Sequence, residues 1–180
     1  MKIIRAERIA LNIPFYAARV TRAMHRAQTH DERVLVYRLE TDSGLVGWGD
    51  STSGPSDVDS LVGQNPAAIM MHDDLGFGPQ VACLDLVGKA NDVPVHALLG
   101  QQVRQRCPIS WWDIDMPAAD WAAEAKESIK RGYTTFKMKA RPWRDIIAQT
   151  DAVAKVVPAD YQFDVDFNGF LLNQARAEII

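Results

Sequence analysis

Alternating hydrophobic and polar residues at the start of the chain predict β-structure. One such run extends from Lys2 to about Pro14, and a more strongly β-prone run extends from Glu32 to Thr41. The sequence Asp42-Ser43-Gly44 separates this second run from a third, Leu45–Asp50. A turn of this composition between two β-rich runs indicates a hairpin, because Gly readily supplies a positive φ. The pattern therefore predicts a small antiparallel meander, with residues 15–31 as a mobile or irregular connection.

Helical spacing of apolar residues follows the meander. A short helix is predicted near Asp57–Val62, and a clearer one runs from about Pro79 to Ala90. In the longer segment the residues expected on one apolar face are Val81, Leu84, Val87 and Gly88. Together with the meander, these helices predict an α+β domain for residues 1–105.

Strands and helices alternate from about residue 106 onward. The predicted strands are Pro108–Trp112, Thr134–Ala140 and Tyr161–Asn168. The predicted helices are Pro117–Arg131, Pro142–Val157 and a last one that begins near Leu172. Such alternation is typical of a parallel α/β sheet or barrel. We therefore expect a second domain over residues 106–180.

Two of these strands carry charged side chains on one face. Side chains repeat every two residues along a strand, so Lys137 and Lys139 share a face. By the same rule Asp164, Asp166 and Asn168 share a face, and we expect Asp164 to be buried lower in the domain. An ordinary parallel sheet is apolar on both faces. A barrel accommodates the charges, because polar residues collect at the C-terminal ends of its strands.

These residue types have a joint chemical interpretation. Carboxylate and amide oxygens suit a hard cation such as Mg²⁺. A neighbouring cation lowers the pKa of a lysine, which then serves as a base near neutral pH. A base beside Mg²⁺ is what the removal of a proton next to a carboxylate requires. Each motif alone has a simpler explanation: Lys-x-Lys is usually a solvated face, and Asp-x-Asp-x-Asn is common in turns and calcium loops. The twelfth position of a calcium loop requires Glu, which is absent here.

Taken together and in this order, the motifs resemble the enolase superfamily in its mandelate racemase and muconate lactonizing enzyme branch. The segment from Val34-Leu35-Val36 to Gly47-Trp48-Gly49-Asp50 resembles the hairpin of the family's capping domain, and Ala82–Ala90 resembles that domain's last helix. The remainder resembles the opening of a (β/α)8 TIM barrel. The resemblance implies an α+β capping domain over residues 1–105, followed by the first part of a barrel, about three strands, over residues 106–180.

The resemblance also implies a role for each polar strand residue. Lys139 corresponds to the family's acid/base catalyst, with Lys137 as its electrostatic partner. Asp166 corresponds to the first Mg²⁺ ligand, and Asn168 is a neighbouring polar group. The implied reaction is Mg²⁺-dependent abstraction of the proton α to a substrate carboxylate, which leads to racemisation, dehydration of an acid sugar or cycloisomerisation.

Two histidines and two tryptophans are candidates for a supporting role. His25 and His30 lie in the segment after the first strand, which in the resembling family reaches over the active site and helps to set specificity. Trp111 and Trp112 end the first predicted barrel strand and are candidates for lining a pocket. The alternatives are an exposed loop histidine and a core tryptophan.

The chain is shorter than the family pattern requires. A (β/α)8 barrel alone takes about 250 residues, whereas the whole chain has 180. The family's remaining metal ligands and its opposite acid/base lie on later strands, so the 180-residue chain is expected to be inactive by itself. Two other hypotheses stay open: a barrel enzyme whose lysine forms a Schiff base with a carbonyl substrate, and a non-catalytic truncated remnant that acts as an interaction module.

Composition and charge limit the classes of partner that the chain is expected to bind. The net charge of −3 gives no electrostatic case for nucleic-acid binding. No apolar run approaches the roughly 18 residues of a membrane span, and the charged N-terminus lacks a secretory signal. Two widely separated cysteines, Cys83 and Cys107, form neither a disulfide framework nor a zinc cluster. We therefore expect a cytoplasmic protein that binds a small-molecule carboxylate, with a homo-oligomer left open.

Overall fold

The computed structural model describes residues 1–27, 30 and 32–178. The described chain forms two compact units. One contains Met1–Pro14 and Glu32–Gln105, and the other contains the described residues of Phe15–Asp31 and Arg106–Ile180. The segment after the first strand thus groups with the second unit, while the domain boundary between residues 105 and 106 stays a prediction.

Six strands and seven α-helices make up the described chain. In order they are β1 (Ile3–Asn12), α1 (Ala18–Ala27), β2 (Arg33–Thr41), β3 (Val46–Ser51), α2 (Pro66–Ile69), α3 (Phe77–Ala90), α4 (Val95–Leu99), β4 (Trp111–Asp113), α5 (Ala118–Lys130), β5 (Thr135–Lys139), α6 (Ile146–Ala154), β6 (Gln162–Asp166) and α7 (Gln174–Ala177). Short 3₁₀ turns occur at Asp59–Leu61 and Asp73–Leu75.

The first unit contains the predicted meander. Its strands pair antiparallel in the order β1-β2-β3. Gly44 adopts a φ of +81° in the turn between β2 and β3, where a residue with a side chain would be strained. The inward-facing residues of β2, which are Leu35, Tyr37 and Leu39, are buried in the core of this unit.

Helix α3 packs closely on β3. A Cβ atom at Gly49 would lie 2.1 Å from the carbonyl oxygen of Gly78, and one at Gly47 would lie 2.3 Å from that of Ala82. The two glycines of the Gly-Trp-Gly sequence therefore permit backbone contact between strand and helix. The predicted apolar face of this helix is wrong in one respect: Val81 is exposed, and the sheet covers Ala82, Cys83 and Leu86 instead.

The second unit contains a parallel sheet in the order β4-β5-β6. Helices α5 and α6 connect its strands, so the unit is built of successive strand–helix repeats. Its core includes Trp121, Phe136, Met138 and Val153, all with 0% exposure. The predicted fold class is confirmed: an α+β unit is followed by three parallel strands consistent with part of a barrel.

The segment predicted as an irregular connection forms a helix, and this prediction is therefore wrong. Helix α1 buries Val20, Ala23 and Met24, which pack in the same core cluster as Ile114 and Trp121. Eight of its ten residues are Arg, His, Thr or Ala, so the sequence has only a narrow apolar stripe. The packing partner supplied by the second unit stabilises the helix.

Some element ends differ from the predicted ones. The strand expected over 108–112 begins at Trp111, and the helix expected over 142–157 begins at Ile146. Asp145 determines that start, because its side chain accepts a hydrogen bond from the backbone N–H of Ala148 at 3.0 Å. None of the helices in the described ranges is long and apolar enough to cross a membrane.

Candidate active site

Four charged side chains on β5 and β6 form what we call the polar row, on one face of the parallel sheet: Lys137, Lys139, Asp164 and Asp166. On β5 the side chains of Phe136 and Met138 are fully buried, whereas Lys137 and Lys139 are only half-buried and face the other way. The strand register sets Lys137 beside Asp164 and Lys139 beside Asp166. The period-2 rule thus brings the predicted lysines and the predicted metal ligand to neighbouring strands.

The carboxylate of Asp166 is held by two donors. The ammonium group of Lys137 lies 3.0 Å from its Oδ2, and the backbone N–H of Asn168 donates to its Oδ1 at 2.9 Å. The Asn168 hydrogen bond and then the Lys137 ammonium lower the pKa of Asp166 below its ordinary value. Asn168 is able to donate here because its backbone turns at a φ of +48° directly after the strand. Asp166 is therefore ionised at neutral pH.

Lys139 has a different environment. Its Nζ lies 5.8 Å from the ring centroid of Trp112, and no ion pair or hydrogen bond of this ammonium occurs among the described residues. His30 packs edge-on against the same indole at 5.3 Å between ring centroids. Burial and the nearby Lys139 charge lower the pKa of His30. The ammonium thus lies over an aromatic ring and near a histidine whose neutral form is favoured.

Of the four supporting candidates, Trp111 and His25 lie away from the lysines. Trp111 occupies the opposite face of β4, where its Nε1–H donates to Glu124 on α5 at 3.0 Å. His25 is exposed on α1. The aromatic residue that the structure brings to the lysines is Trp112, which pairs with Lys137 in the β4-β5 register. The face that each tryptophan takes depends on the β4-β5 register, which the sequence alone does not give.

Asp164 also differs from its prediction. It was expected to be buried, but its side chain is exposed, and Asp166 takes the ion pair with Lys137. Within the part of the chain that the structure describes, no three His, Cys, Asp or Glu side chains are placed to hold a metal ion. Asp166 is ionised and half-buried, so it fits one oxygen ligand of a hard cation, and further ligands must come from elsewhere.

Known proteins share both the sequence and the architecture. The chain is 28% identical to the N-succinyl-L-Arg/Lys racemase of Bacillus cereus over 170 residues, which covers 79% of this chain and 46% of the racemase. The solved structure of the B. cereus racemase superposes with a TM-score of 0.75 at 25% identity and covers 98% of this chain and 55% of the solved chain. No family model matches the chain.

Two further similarities extend the range of activities. The hydrophobic dipeptide epimerase of Enterococcus faecalis is 28% identical over 192 residues, covering 92% of this chain and 52% of the epimerase. Its structure with Mg and the dipeptide L-Leu-L-Tyr has a TM-score of 0.68 at 23% identity, covering 93% and 53% of the two chains. The muconate lactonizing enzyme of Pseudomonas putida shares the fold, with a TM-score of 0.70 at 22% identity over 99% and 55% of the two chains. Other curated relatives are D-galactonate dehydratases.

The chain spans about half the length of the curated relatives it matches, 46% of the racemase and 52% of the epimerase. Every relative named above is an isomerase or a lyase by its name. Sequence and structure comparisons therefore lead to the same group of enzymes.

Proposed function

We propose that this chain supplies half of an active site for proton abstraction next to a substrate carboxylate. The support is its homology to the N-terminal part of enzymes of the mandelate racemase and muconate lactonizing family of the enolase superfamily. Lys139 is the acid/base residue. Lys137 is its electrostatic partner, and Asp166 is one ligand of a Mg²⁺ ion. Racemisation and acid-sugar dehydration begin with such a step, and cycloisomerisation contains it in its lactone-opening direction.

One observation carries this proposal: the two lysines of the row differ in their partners. Lys137 has its charge compensated by Asp166 at 3.0 Å. Lys139 lies over Trp112 without an ion pair among the described residues. A lysine held in a carboxylate ion pair is stabilised as the cation, whereas an acid/base group must alternate between its two protonation states. Lys139 is therefore the lysine that can alternate between its protonated and neutral states.

The proton transfer balances within the site. When neutral Lys139 takes the proton, the substrate C–H bond breaks, an N–H bond forms on Nζ, and the electron pair moves into the carboxylate as an enediolate. Lys137 keeps Asp166 ionised and oriented through its ion pair and the Asn168 N–H. When bound, Mg²⁺ supplies positive charge for the oxygens of the substrate carboxylate.

We propose that the 180 residues do not complete this site by themselves. The family's remaining metal ligands and its opposite acid/base lie on later barrel strands, and a single carboxylate makes a weak Mg²⁺ site. The intact mass of the protein made from its native gene is the first test: about 40 kDa corresponds to a cap with a complete barrel of roughly 250 residues. A mass of 20.1 kDa means that a partner must supply the missing groups.

Solvent exchange tests the chemistry. The native gene product is incubated in D₂O with Mg²⁺ and a panel of N-acyl amino acids, dipeptides, acid sugars and muconates. Deuterium at the α-carbon of the recovered substrate and of any product is measured by mass spectrometry. We expect incorporation with at least one class and none with Lys139→Ala. Lys139→Arg also abolishes exchange, because a guanidinium keeps its proton throughout the assay range.

Lys126→Ala is the matched control, since Lys126 is an exposed lysine on α5. Retention of full exchange in Lys139→Ala contradicts the assignment, as does the absence of exchange with every class on the panel. The Schiff-base alternative makes a different prediction. The Lys139 amine condenses with a carbonyl substrate with loss of water, and borohydride reduces the C=N bond, so Lys139 gains the substrate mass less one oxygen. Chelators leave activity unchanged.

A further inference from the structure

Asp164 is the member of the polar row that has no role in the proposed reaction. Its side chain is exposed and lies on the same face of β6 as Asp166. No ion pair or hydrogen bond of its carboxylate occurs among the described residues. The strand register nevertheless sets Asp164 directly beside Lys137. The row therefore contains a second carboxylate within reach of the lysine that is paired with Asp166.

The strand spacing places both carboxylates near Lys137. Neighbouring strands are about 4.8 Å apart, and successive residues on one face of a strand are about 6.6 Å apart. Asp164 is level with Lys137, and Asp166 is one such step further toward the C-terminal end of β6. The flexible four-carbon stem of Lys137 already spans this diagonal, because its Nζ lies 3.0 Å from Oδ2 of Asp166. The path to Asp164 is shorter and needs only a rotation of the same stem.

The Lys137 ammonium and a metal ion compete for the same carboxylate. Oδ2 of Asp166 is paired with Lys137, and Oδ1 accepts from the neutral backbone N–H of Asn168. Mg²⁺ binds carboxylate oxygens at about 2.0–2.1 Å, and a cation bound so closely to Asp166 repels an ammonium group 3.0 Å from that carboxylate. We therefore expect Lys137 to leave Asp166 when this carboxylate becomes a metal ligand. Its side chain is 41% exposed, which leaves room for the movement.

From these contacts we infer that Lys137 exchanges between the two carboxylates of β6: it pairs with Asp166 before the metal binds, and with Asp164 once Asp166 is a metal ligand. Asp164 is thus a positioning residue that acts on the site through Lys137. Lys137 has a carboxylate partner in both positions and stays a cation, so the difference between it and Lys139 is retained. This inference rests on the proposed role of Asp166 as a Mg²⁺ ligand and needs no proton abstraction.

The affinity for Mg²⁺ tests the inference at equilibrium. The dissociation constant of Mg²⁺ is measured by calorimetry on the native gene product and on its Asp164→Asn variant. We expect Asp164→Asn to weaken Mg²⁺ binding about threefold to fivefold, the value of one partly exposed ion pair, because the displaced Lys137 then has no carboxylate partner. Asp164→Glu should restore the affinity to within about twofold of the wild type. Asp160→Asn, at an exposed carboxyl group outside the polar row, is the control and leaves the affinity unchanged.

Lys137→Gln separates an action through the lysine from a direct effect of the Asp164 charge on the metal. A carboxylate that attracts Mg²⁺ directly weakens binding on removal in either background, whereas a positioning residue loses its effect when the residue it positions is absent. We expect Lys137→Gln to bind Mg²⁺ more tightly than the wild type. In that background, Asp164→Asn should change the affinity by less than about twofold. Circular dichroism of each variant verifies that the fold is retained.

Nitrogen-15 NMR of the lysine ammonium groups gives a second readout, which a structural role of Asp164 does not change. The Lys137 signal is assigned by its disappearance in Lys137→Gln. We expect Mg²⁺ to shift this signal in the wild type, where the ammonium moves from one carboxylate to the other. In Asp164→Asn, Mg²⁺ should broaden it, because an ammonium group without a partner exchanges its protons rapidly with water.

The outcomes separate this inference from the proposed function. An unchanged affinity in Asp164→Asn, an equal loss in the Lys137→Gln background, or a Lys137 signal that does not respond to Mg²⁺ overturns the inference. The absence of Mg²⁺ binding to the native gene product overturns it as well, because Asp166 is then no metal ligand. A loss of affinity that depends on Lys137, together with no deuterium exchange on any substrate, leaves the inference standing and overturns the proton-abstraction function. Exchange without this dependence on Lys137 has the opposite meaning.

Discussion

The buried carboxyl pair on the far face of the sheet predicts an unusual dependence of stability on pH. Asp113 on β4 is 1% exposed and Glu124 on α5 is 0% exposed. Glu124 accepts hydrogen bonds from Tyr16, Arg19 and Trp111. Arg19 is the one cation paired with these two carboxyl groups among the described residues, so a single negative charge is compensated. We therefore expect the pair to hold one proton at neutral pH.

The sign of the effect follows from linkage. Burial and then the charge of Glu124 raise the pKa of Asp113 to about 8, whereas an unfolded Asp titrates near 3.9. A raised pKa contributes stability that is complete below the unfolded value and is lost as the pH rises through the folded value. Each pH unit within that window lowers the free energy of unfolding by about 1.4 kcal/mol per proton.

The variant Asp113→Asn removes this titration and keeps the shape. Its amide oxygen can still accept from the N–H of Ile114, which donates to Asp113 at 2.9 Å. The side-chain N–H of the asparagine donates a hydrogen bond in place of the O–H of protonated Asp113. Between pH 5 and pH 7 the wild type should therefore lose about 2–3 kcal/mol relative to the variant. Asp160→Asn, at an exposed carboxyl group, is the control.

Urea unfolding at pH 5, 6 and 7 provides the measurement. Fluorescence reports mainly on the second unit, because four of the five tryptophans lie there and Trp48 lies in the first. Circular dichroism covers both units. Parallel pH dependence of wild type and Asp113→Asn would refute the shared proton, and so would a steeper dependence in the variant.

Three substitutions test the packing. Gly49→Ala places a Cβ against the Gly78 carbonyl oxygen, 2.1 Å away, and should destabilise the first unit by about 2–3 kcal/mol in thermal melts; an unchanged melt contradicts the close strand–helix contact. Trp121→Phe removes a buried indole N–H donor and should lower the free energy of unfolding of the second unit by about 2–3 kcal/mol. A decrease below about 0.5 kcal/mol argues against that hydrogen bond. Asp145→Ala removes the cap on the Ala148 N–H and should cost about 1 kcal/mol in urea unfolding, an effect that Asp145→Ser should largely restore.

The polar row was predictable because it depends on a local rule. Alternation on a strand is fixed by backbone geometry, so Lys137 and Lys139 had to share a face once Phe136 and Met138 were buried. The pairing of β5 with β6 also followed from the strand–helix alternation. These steps need no knowledge of distant contacts.

Helix α1 was not predictable in the same way. Its stability comes from burial of Val20, Ala23 and Met24 against residues almost one hundred positions later, such as Ile114. Two of its arginines, Arg19 and Arg22, pair with acids of α5. An amphipathic stripe of three residues is too short to indicate a helix in isolation, because a helix of this length is marginal without tertiary packing.

The choice between the two adjacent tryptophans shows how sensitive a site prediction is to strand register. A shift in register by one residue moves a side chain to the other face of a sheet. Trp111 is therefore directed to Glu124 and α5, and Trp112 is directed to Lys139. The sequence identifies the pair of indoles but leaves their faces to the position of β4.

The same geometry explains why the two lysines have different environments although they stand two residues apart on one strand. The register sets Lys139 directly beside Asp166, yet the Asp166 carboxylate bonds to Lys137. Side chains lean along their strand, so the long Lys137 side chain reaches the next level of the row. That diagonal ion pair compensates one ammonium and leaves the other over Trp112. The different environments of the two lysines thus follow from one feature, the reach of the Lys137 side chain to the carboxylate of Asp166.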